Sequence, residues 1–282
     1  MTRRTALPLA LALALLSGSG VAHADNVLVV LSDADHLDLK DGKVFSTGFY
    51  LNELMQPVKR LIDAGHILTF ATPQGRAPSV DASSVDMQYF GGDAAALQVH
   101  QQLLAELALT DAAHSPVVSL ARVEQIGVDH YDAVYIPGGH APMQDLLSSP
   151  VLGRVLHRFH QAGKPTALVC HGPIALLSTL ADAAGFSARL ETGQRSAADG
   201  WIYRGYRMTV ISNVEEEQAK GLLDGGEMKF YPQTALQLAG GDYHGNSTAW
   251  QPNVVVDREL ITGQNPASAN AVADELLQRL QH

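Results

Sequence analysis

Four short apolar runs constrain this chain more than any other feature: residues 26–32 (NVLVVLS), 66–72 (HILTFAT), 132–136 (DAVYI) and 166–170 (TALVC). They are rich in β-branched residues and lack the alternation of a strand with one wet face. Each therefore reads as a strand buried on both faces. Helical patterns lie between them. Across residues 48–64, Phe49, Leu51, Leu54, Met55, Val58, Leu61 and Ile62 recur at helical spacing. Pro57 inside that pattern predicts a kink or a late start, and Gly65 reads as the residue that stops the helix. Residues 73–92 read as loop, broken by Gly75, Pro78 and Gly91-Gly92. A helix is predicted over 93–109 with Asp93 as its N-cap.

Shorter helices are predicted near 143–147, 151–162 and 172–181. Beyond residue 200 the pattern weakens. Strands are expected within 201–212, a short helix over 215–220, a strand over 254–256 and another ending at Ile261-Thr262. An amphipathic helix over 267–280 closes the chain. Strands alternating with helices predict an α/β fold, a parallel sheet covered on both faces. No repeat, linker or composition break interrupts residues 25–282, which read as a single domain.

The first 24 residues stand apart. Arg3 and Arg4 precede an apolar run over 6–16, and Ala22-His23-Ala24 fits a small-residue cleavage site, so 1–24 reads as a signal peptide. The run is shorter than the ~20 residues that span a bilayer. The mature protein is expected to be soluble and off the membrane, periplasmic or secreted in a bacterium. Removing the leader takes the formal charge from −10 to −12. Such acidity, with scattered Lys and Arg, offers no footprint for nucleic acid. Cys170 is the one cysteine in the chain. It has no internal disulfide partner and must be buried, paired between chains, or reactive.

Ligands of open α/β sheets bind beyond the carboxyl ends of the strands, and two such ends carry chemistry. Thr166-Ala-Leu-Val-Cys170-His-Gly-Pro173 runs from strand directly into helix. The turn lifts the sulfur above the sheet, at a helix N-terminus expected to favour thiolate. His171 is the adjacent base. Gly138-Gly139, followed by His140, ends the preceding strand and offers N–H groups for an oxyanion. An orienting carboxylate is sought among Glu215, Glu216 and Glu217, which spacing alone reads as a solvated acidic helix start. Glu53 interrupts an apolar helix pattern. It is either on the solvent face or buried and protonated. His157 and His160 share a helix face but have no acidic or cysteine ligand nearby in the sequence, and no metal is expected. No phosphate-binding glycine motif follows the first strand, so no nucleotide cofactor is expected.

Taken together these residues resemble the ThiJ/PfpI superfamily, and within it the glyoxalase III-like and stress-chaperone branch. The resemblance rests on Ser46-Thr-Gly-Phe-Tyr-Leu-Asn-Glu53 with Pro57, Ala64-Gly65-His66, Ala71-Thr-Pro-Gln-Gly75, Pro137-Gly-Gly-His140, Ala167-Leu-Val-Cys-His-Gly-Pro173, Ser212-Asn-Val-Glu-Glu216 and Leu260-Ile-Thr-Gly-Gln-Asn-Pro-Ala-Ser268. It implies a flavodoxin-like, doubly wound, mostly parallel sheet, of the kind shared with class I glutamine amidotransferases. It implies Cys170 as nucleophile, His171 as base, Glu216 as acidic triad member with Glu215 as the alternative, and Glu53 as a carboxyl bonded to the thiol. Gly139 and the His171 N–H match the oxyanion donors. The branch often has Lys at the position of Ser46 and Gly after Gly-Gly-His, where this chain has Ala141-Pro142. Residues 224–245, with two Gly-Gly pairs, are also unusual for it.

The activity this implies is cofactor-free conversion of a 2-oxoaldehyde to a 2-hydroxy acid, on a small carbonyl substrate, in a protein that could form a homodimer. A cysteine hydrolase or peptidase on the same elbow is the alternative enzyme. A periplasmic holdase or thiol stress protein is the non-enzymatic alternative. A glutaminase places its base in a His-x-Glu pair, which this chain lacks.

Overall fold

In the computed structural model, residues 24–281 are described. The predicted signal peptide, apart from Ala24, lies outside them. Eleven strands run along the described chain: β1 (Asn26–Val30), β2 (His36–Asp38), β3 (Val44–Ser46), β4 (Ile67–Thr72), β5 (Val118–Ser119), β6 (Ala133–Ile136), β7 (Thr166–Val169), β8 (Arg207–Met208), β9 (Asp242–Tyr243), β10 (Val254–Asp257) and β11 (Leu260–Gly263). The α-helices are α1 (Leu51–Asp63), α2 (Ala94–Glu106), α3 (Leu120–Ile126), α4 (Pro150–Ala162), α5 (Ala183–Glu191), α6 (Asn213–Ala219), α7 (Pro232–Ala239) and α8 (Ala269–Leu280).

Seven strands form one sheet in the order β10-β11-β7-β6-β1-β4-β5. Every neighbouring pair is parallel except β10 with β11. The four apolar runs occupy four adjacent positions at its centre. Leu28 sits between Thr69 and Val134, and Ala167 between Tyr135 and Ile261. Residues 27–30 of β1, and all of β6 and β7, are buried. This explains their lack of alternation: with helices over both faces, neither set of side chains meets water. Two short ribbons stand outside the main sheet, β2 with β3 and β8 with β9.

Helix α1 runs unbroken through Pro57. Proline supplies no N–H to the carbonyl four residues back, which is that of Glu53. The fully buried hydroxyl of Tyr135, on β6, donates to that carbonyl instead. A side chain from the sheet thus completes the ladder that Pro57 interrupts and fixes the backbone of Glu53. Tyr135→Phe is expected to leave this carbonyl unpaired and lower unfolding stability by about 1–3 kcal/mol in a denaturant titration.

Several elements depart from the sequence expectation. The segment after Cys170 is a 3-10 helix, Gly172–Thr179, buried throughout. Ser178 Oγ and Thr179 Oγ1 each donate to the carbonyl three residues back, at 2.7 Å, a pattern that competes with α-helical bonding. Residues 201–212 give only the two-residue β8. Trp201 turns inward, its indole N–H donating to Leu176 O and Thr179 Oγ1 at 3.0 Å, and Tyr203 and Tyr206 are buried against each other. Side-chain packing, not strand pairing, orders this stretch. Strand β5 and helices α3, α5 and α7 were not signalled by apolar period; α5 begins at its Asp182 cap and α7 at Pro232.

Candidate active site

The carboxyl ends of β6 and β7 meet at Gly138-Gly139 and Cys170-His171. Cys170 has a left-handed backbone, φ 59°, which costs a non-glycine residue about 1–3 kcal/mol. Two hydrogen bonds hold it there. Its N–H donates to Gly263 O at 2.9 Å, and its carbonyl accepts from Ile211 N at 3.1 Å. The turn redirects the chain into Gly172–Thr179 and places the thiol, only 2% exposed, beside the His171 ring.

Cys170 Sγ lies 3.3 Å from His171 Nδ1, and His171 Nε2 lies 2.7 Å from Glu216 Oε1. With Nε2 bonded to the carboxylate, Nδ1 faces the thiol. Burial raises the Glu216 carboxyl, but the charge and hydrogen bond of His171 reverse this and leave it below the ordinary carboxylate value. The three residues form a relay of the kind that activates a thiol.

Glu215 has a different task. Its two oxygens accept from Ser212 N, Ser212 Oγ, Gln264 Nε2, Asn265 Nδ2 and Trp250 N, all at 2.8–2.9 Å. Burial raises its carboxyl, yet these donors hold it below its usual value. With Ser212 it forms the capping box of α6, and it ties three chain segments together. Neither Glu215 nor Glu216 belongs to a solvated helix start: they are 0% and 3% exposed. Glu217 alone faces outward, accepting from the Tyr231 hydroxyl at 2.5 Å.

Glu53 resolves to the buried alternative, at 0% exposure. It lies in the first turn of α1, whose leading N–H, on Leu51, donates to Ser84 Oγ at 2.9 Å. Its Oε2 accepts from Gly138 N at 2.8 Å. Its other oxygen, buried, has no hydrogen-bond partner of ordinary geometry among the described residues, and the Cys170 thiol is the neighbouring polar group. Burial raises the Glu53 carboxyl to about 8, against the lowering pull of Cys170 and the Gly138 N–H. Glu53 is therefore protonated at neutral pH and able to donate to sulfur.

The expectation that a helix N-terminus favours thiolate is not met. Burial pushes the Cys170 thiol well up, and any negative charge on Glu53 adds to the shift, followed by Glu216 and Glu215. The resting thiol thus keeps its proton.

The raised Glu53 value has a consequence for stability. An unfolded glutamate ionises near 4.5, the folded one near 8. Between these values the native state binds more protons than the unfolded state, so stability falls as pH rises. Glu53→Gln, which keeps an acceptor for Gly138 and a donor for the thiol, is expected to flatten this slope. Thermal unfolding from pH 4.5 to 8 should show the variant gaining on the wild type by roughly a few kcal/mol at the upper end.

Gly138 was expected among the oxyanion donors, but its N–H is engaged by Glu53. A β-carbon there would lie 2.7 Å from both Glu53 Oε2 and His171 N. Gly139 has φ 85°, and a β-carbon would meet Gly48 O at 2.1 Å. The N–H groups of Gly139 and His171 donate to no protein acceptor among the described residues, so they remain free for a developing oxyanion.

His140 is buried behind His171, with ring centroids 4.2 Å apart. Its Nε2 is 3.9 Å from Glu216 Oε2, and its Nδ1 is buried without a partner. Burial, then the charge of His171, lowers it to about 4, so the ring is neutral at pH 7. Ligand atoms of His140, His171 and Glu216 lie within 4.8 Å of one another and could hold a divalent metal. Such an ion would replace the His171–Glu216 hydrogen bond. His157 and His160 are separate from this. His160 pairs with Glu259 at 2.7 Å, an acidic partner that sequence distance concealed.

A cavity of about 40 Å³ opens above the thiol. Tyr50, Tyr89, Ile211, Leu222, Trp250 and Pro266 are among its walls, with His140, Cys170, His171 and Glu216. Tyr89, Leu222 and Trp250 were not anticipated, because no local pattern marks residues gathered from two short 3-10 helices, Met87–Phe90 and Lys220–Leu223, and a distant turn. Larger clefts, such as those of about 210 and 290 Å³ flanking Met228–Phe230, do not reach Cys170. Among the described residues, no helix is long and apolar enough to cross a membrane.

Residues 45–194 match a family described as ThiJ/PfpI family-like. A probable glutathione-independent glyoxalase of Schizosaccharomyces pombe is 26% identical over 276 residues, covering 92% of this chain and 99% of the relative. A protein/nucleic acid deglycase of Staphylococcus aureus is 24% identical over 265 residues, covering 91% and 81%. Among solved structures, the rapid encystment protein of Francisella tularensis superposes with TM-score 0.69 at 25% identity, over 91% of this chain and 99% of that one. Glyoxalase III of Candida albicans gives TM-score 0.66 at 18% identity, over 90% and 97%, a likeness of fold.

Proposed function

The chain belongs to the ThiJ/PfpI family, and from that premise we propose that it is a cofactor-independent glyoxalase III-like enzyme converting a 2-oxoaldehyde and water to a 2-hydroxy acid. The Cys170–His171–Glu216 relay, with protonated Glu53 also beside the sulfur, is the observation that carries this reading. Its distant relatives include a glyoxalase and a deglycase.

In the first step the Cys170 sulfur bonds to the aldehyde carbon and the carbonyl π bond breaks. The thiol proton passes to His171, and the oxygen is held by the Gly139 and His171 N–H groups before taking that proton back from His171. His171 then removes the proton from the former aldehyde carbon and passes it to the adjacent ketone oxygen, giving an enediol. Glu53 then protonates the adjacent carbon, and the hydroxyl on the sulfur-bearing carbon returns its proton to the Glu53 carboxylate, which leaves a thioester of the 2-hydroxy acid. Water hydrolyses the thioester, which returns the thiol and releases the acid. One carbon is oxidised and its neighbour reduced, so no external oxidant is needed. Glu216 keeps the ring oriented and stabilises the imidazolium.

We place the enzyme outside the cytoplasm, with cleavage after Ala24. Strand β1 begins at Asn26, so the cut removes nothing the sheet uses. The test is conversion of methylglyoxal to lactate by purified protein without added thiol. In D2O the lactate should carry deuterium at carbon 2. Absence of lactate, or Cys170-dependent release of amines from peptides instead, would overturn the proposal.

A further inference from the structure

The walls of the cavity above Cys170 divide by depth. The floor is the reacting machinery. The rim is apolar: Leu222 and Trp250 are exposed at 43% and 40%, with half-buried Tyr89 beside them. Lys and Arg are absent from the lining, and its one carboxylate, Glu216, is bonded to His171. Nothing there would neutralise an anionic substituent, and the rim offers two aromatic faces and a branched aliphatic group. Large exposed apolar side chains around a pocket mouth mark a binding surface.

Trp250 is held in place, not loosely draped. Its backbone is left-handed, φ 65°. Its N–H donates to Glu215 Oε1 at 2.8 Å and its indole N–H to Gln218 Oε1 at 2.6 Å. The carboxylate that anchors it is the neighbour of the triad acid in α6. The indole is thus a rigid wall registered to the catalytic relay. A strained backbone held by a part-buried hydrogen bond, with a second bond on the side chain, is a feature found where a ligand must be gripped.

We propose that the preferred substrates are 2-oxoaldehydes bearing an uncharged apolar substituent, best an aryl group, which packs against Trp250 and Leu222 while the aldehyde carbon reaches Cys170. This rests on the glyoxalase III-like reading and adds the substrate class. The carbonyl pair enters the narrow floor, and the ring remains at the rim, where the cavity opens to solvent. Offset or edge contact with the indole contributes beyond simple area burial. A carboxylate on the substituent would lose hydration against apolar walls with no cation in return.

The test compares kcat/KM for phenylglyoxal, methylglyoxal and a carboxylate-bearing phenylglyoxal, in wild type, Trp250→Ala and Leu222→Ala. Phenylglyoxal should exceed both others by about tenfold or more, and either substitution should shrink the phenyl-to-methyl ratio by roughly five- to tenfold, mainly through KM. Using the ratio cancels general damage to the site. The Leu222 variant guards against disturbance of Glu215, because Leu222 makes none of the Glu215 hydrogen bonds. Turnover of methylglyoxal with no aryl preference, or ratios unchanged in both variants, overturns the substrate class alone. No turnover of any 2-oxoaldehyde overturns the functional reading and this proposal with it.

Discussion

Cys170→Ala is expected to abolish formation of 2-hydroxy acid, lowering kcat/KM by at least about 10⁴-fold, since no other group near the carbonyl site can form the covalent bond. Cys170 is the one cysteine of the chain, so no second thiol can substitute. The variant should remain folded. Its side chain removes only the sulfur, and the hydrogen bonds that hold the turn come from the backbone of residue 170. The decisive comparison is activity against thermal stability. Loss of activity with an unfolding midpoint within a few degrees of wild type supports a chemical role. Product formation retained in Cys170→Ala would exclude the thiol mechanism outright.

Glu216→Gln is expected to lower kcat by about 10²- to 10⁴-fold with a much smaller change in KM. The amide keeps the size of the side chain, and its oxygen can still accept from His171 Nε2. What is lost is the charge that stabilises protonated His171, at a group 97% buried beside a ring only 4% exposed. An amide turned the other way would present N–H to Nε2 and place the ring proton on Nδ1, facing the thiol in the unproductive tautomer. Glu215→Gln provides the contrast. It weakens a five-donor hub, so its main effect should be on unfolding stability, with activity following. Equal effects of the two substitutions on kcat at unchanged stability would remove the distinction drawn between these adjacent glutamates.

Much of this site was legible because its chemistry is local. The strand, the cysteine, the adjacent histidine and the following Gly-Pro occupy eight consecutive residues, and the central strands announce themselves by unbroken burial. The Glu216 assignment came from the family resemblance, because spacing alone read Glu215, Glu216 and Glu217 alike as a solvated helix start; the capping box that commits Glu215 to Ser212 is visible only in the structure. Burial of both glutamates was not legible, because the donors Gln264 and Asn265 and the partner His171 lie about 45–50 residues away in sequence. Glu53 was ambiguous for the same reason; its partners Gly138 and Cys170 belong to later strand ends. The thiol's raised pKa depends on the summed enclosure of many residues, which no motif encodes. Residues 201–212 misled because aromatic packing and strand pairing favour the same residue types.

The sheet order has a kinetic consequence. The relay needs β7 for the nucleophile and α6 for the acid. Glu53 comes from the helix between β1 and β4, and the clamp on Cys170 comes from the end of β11. No contiguous stretch of chain carries a working half-site, and β1 cannot take its central place until β6 has been made to pair with it. In refolding from denaturant, recovery of activity should therefore trail recovery of helical signal and coincide with the slowest, sheet-completing phase, as expected when function depends on contacts distant in sequence.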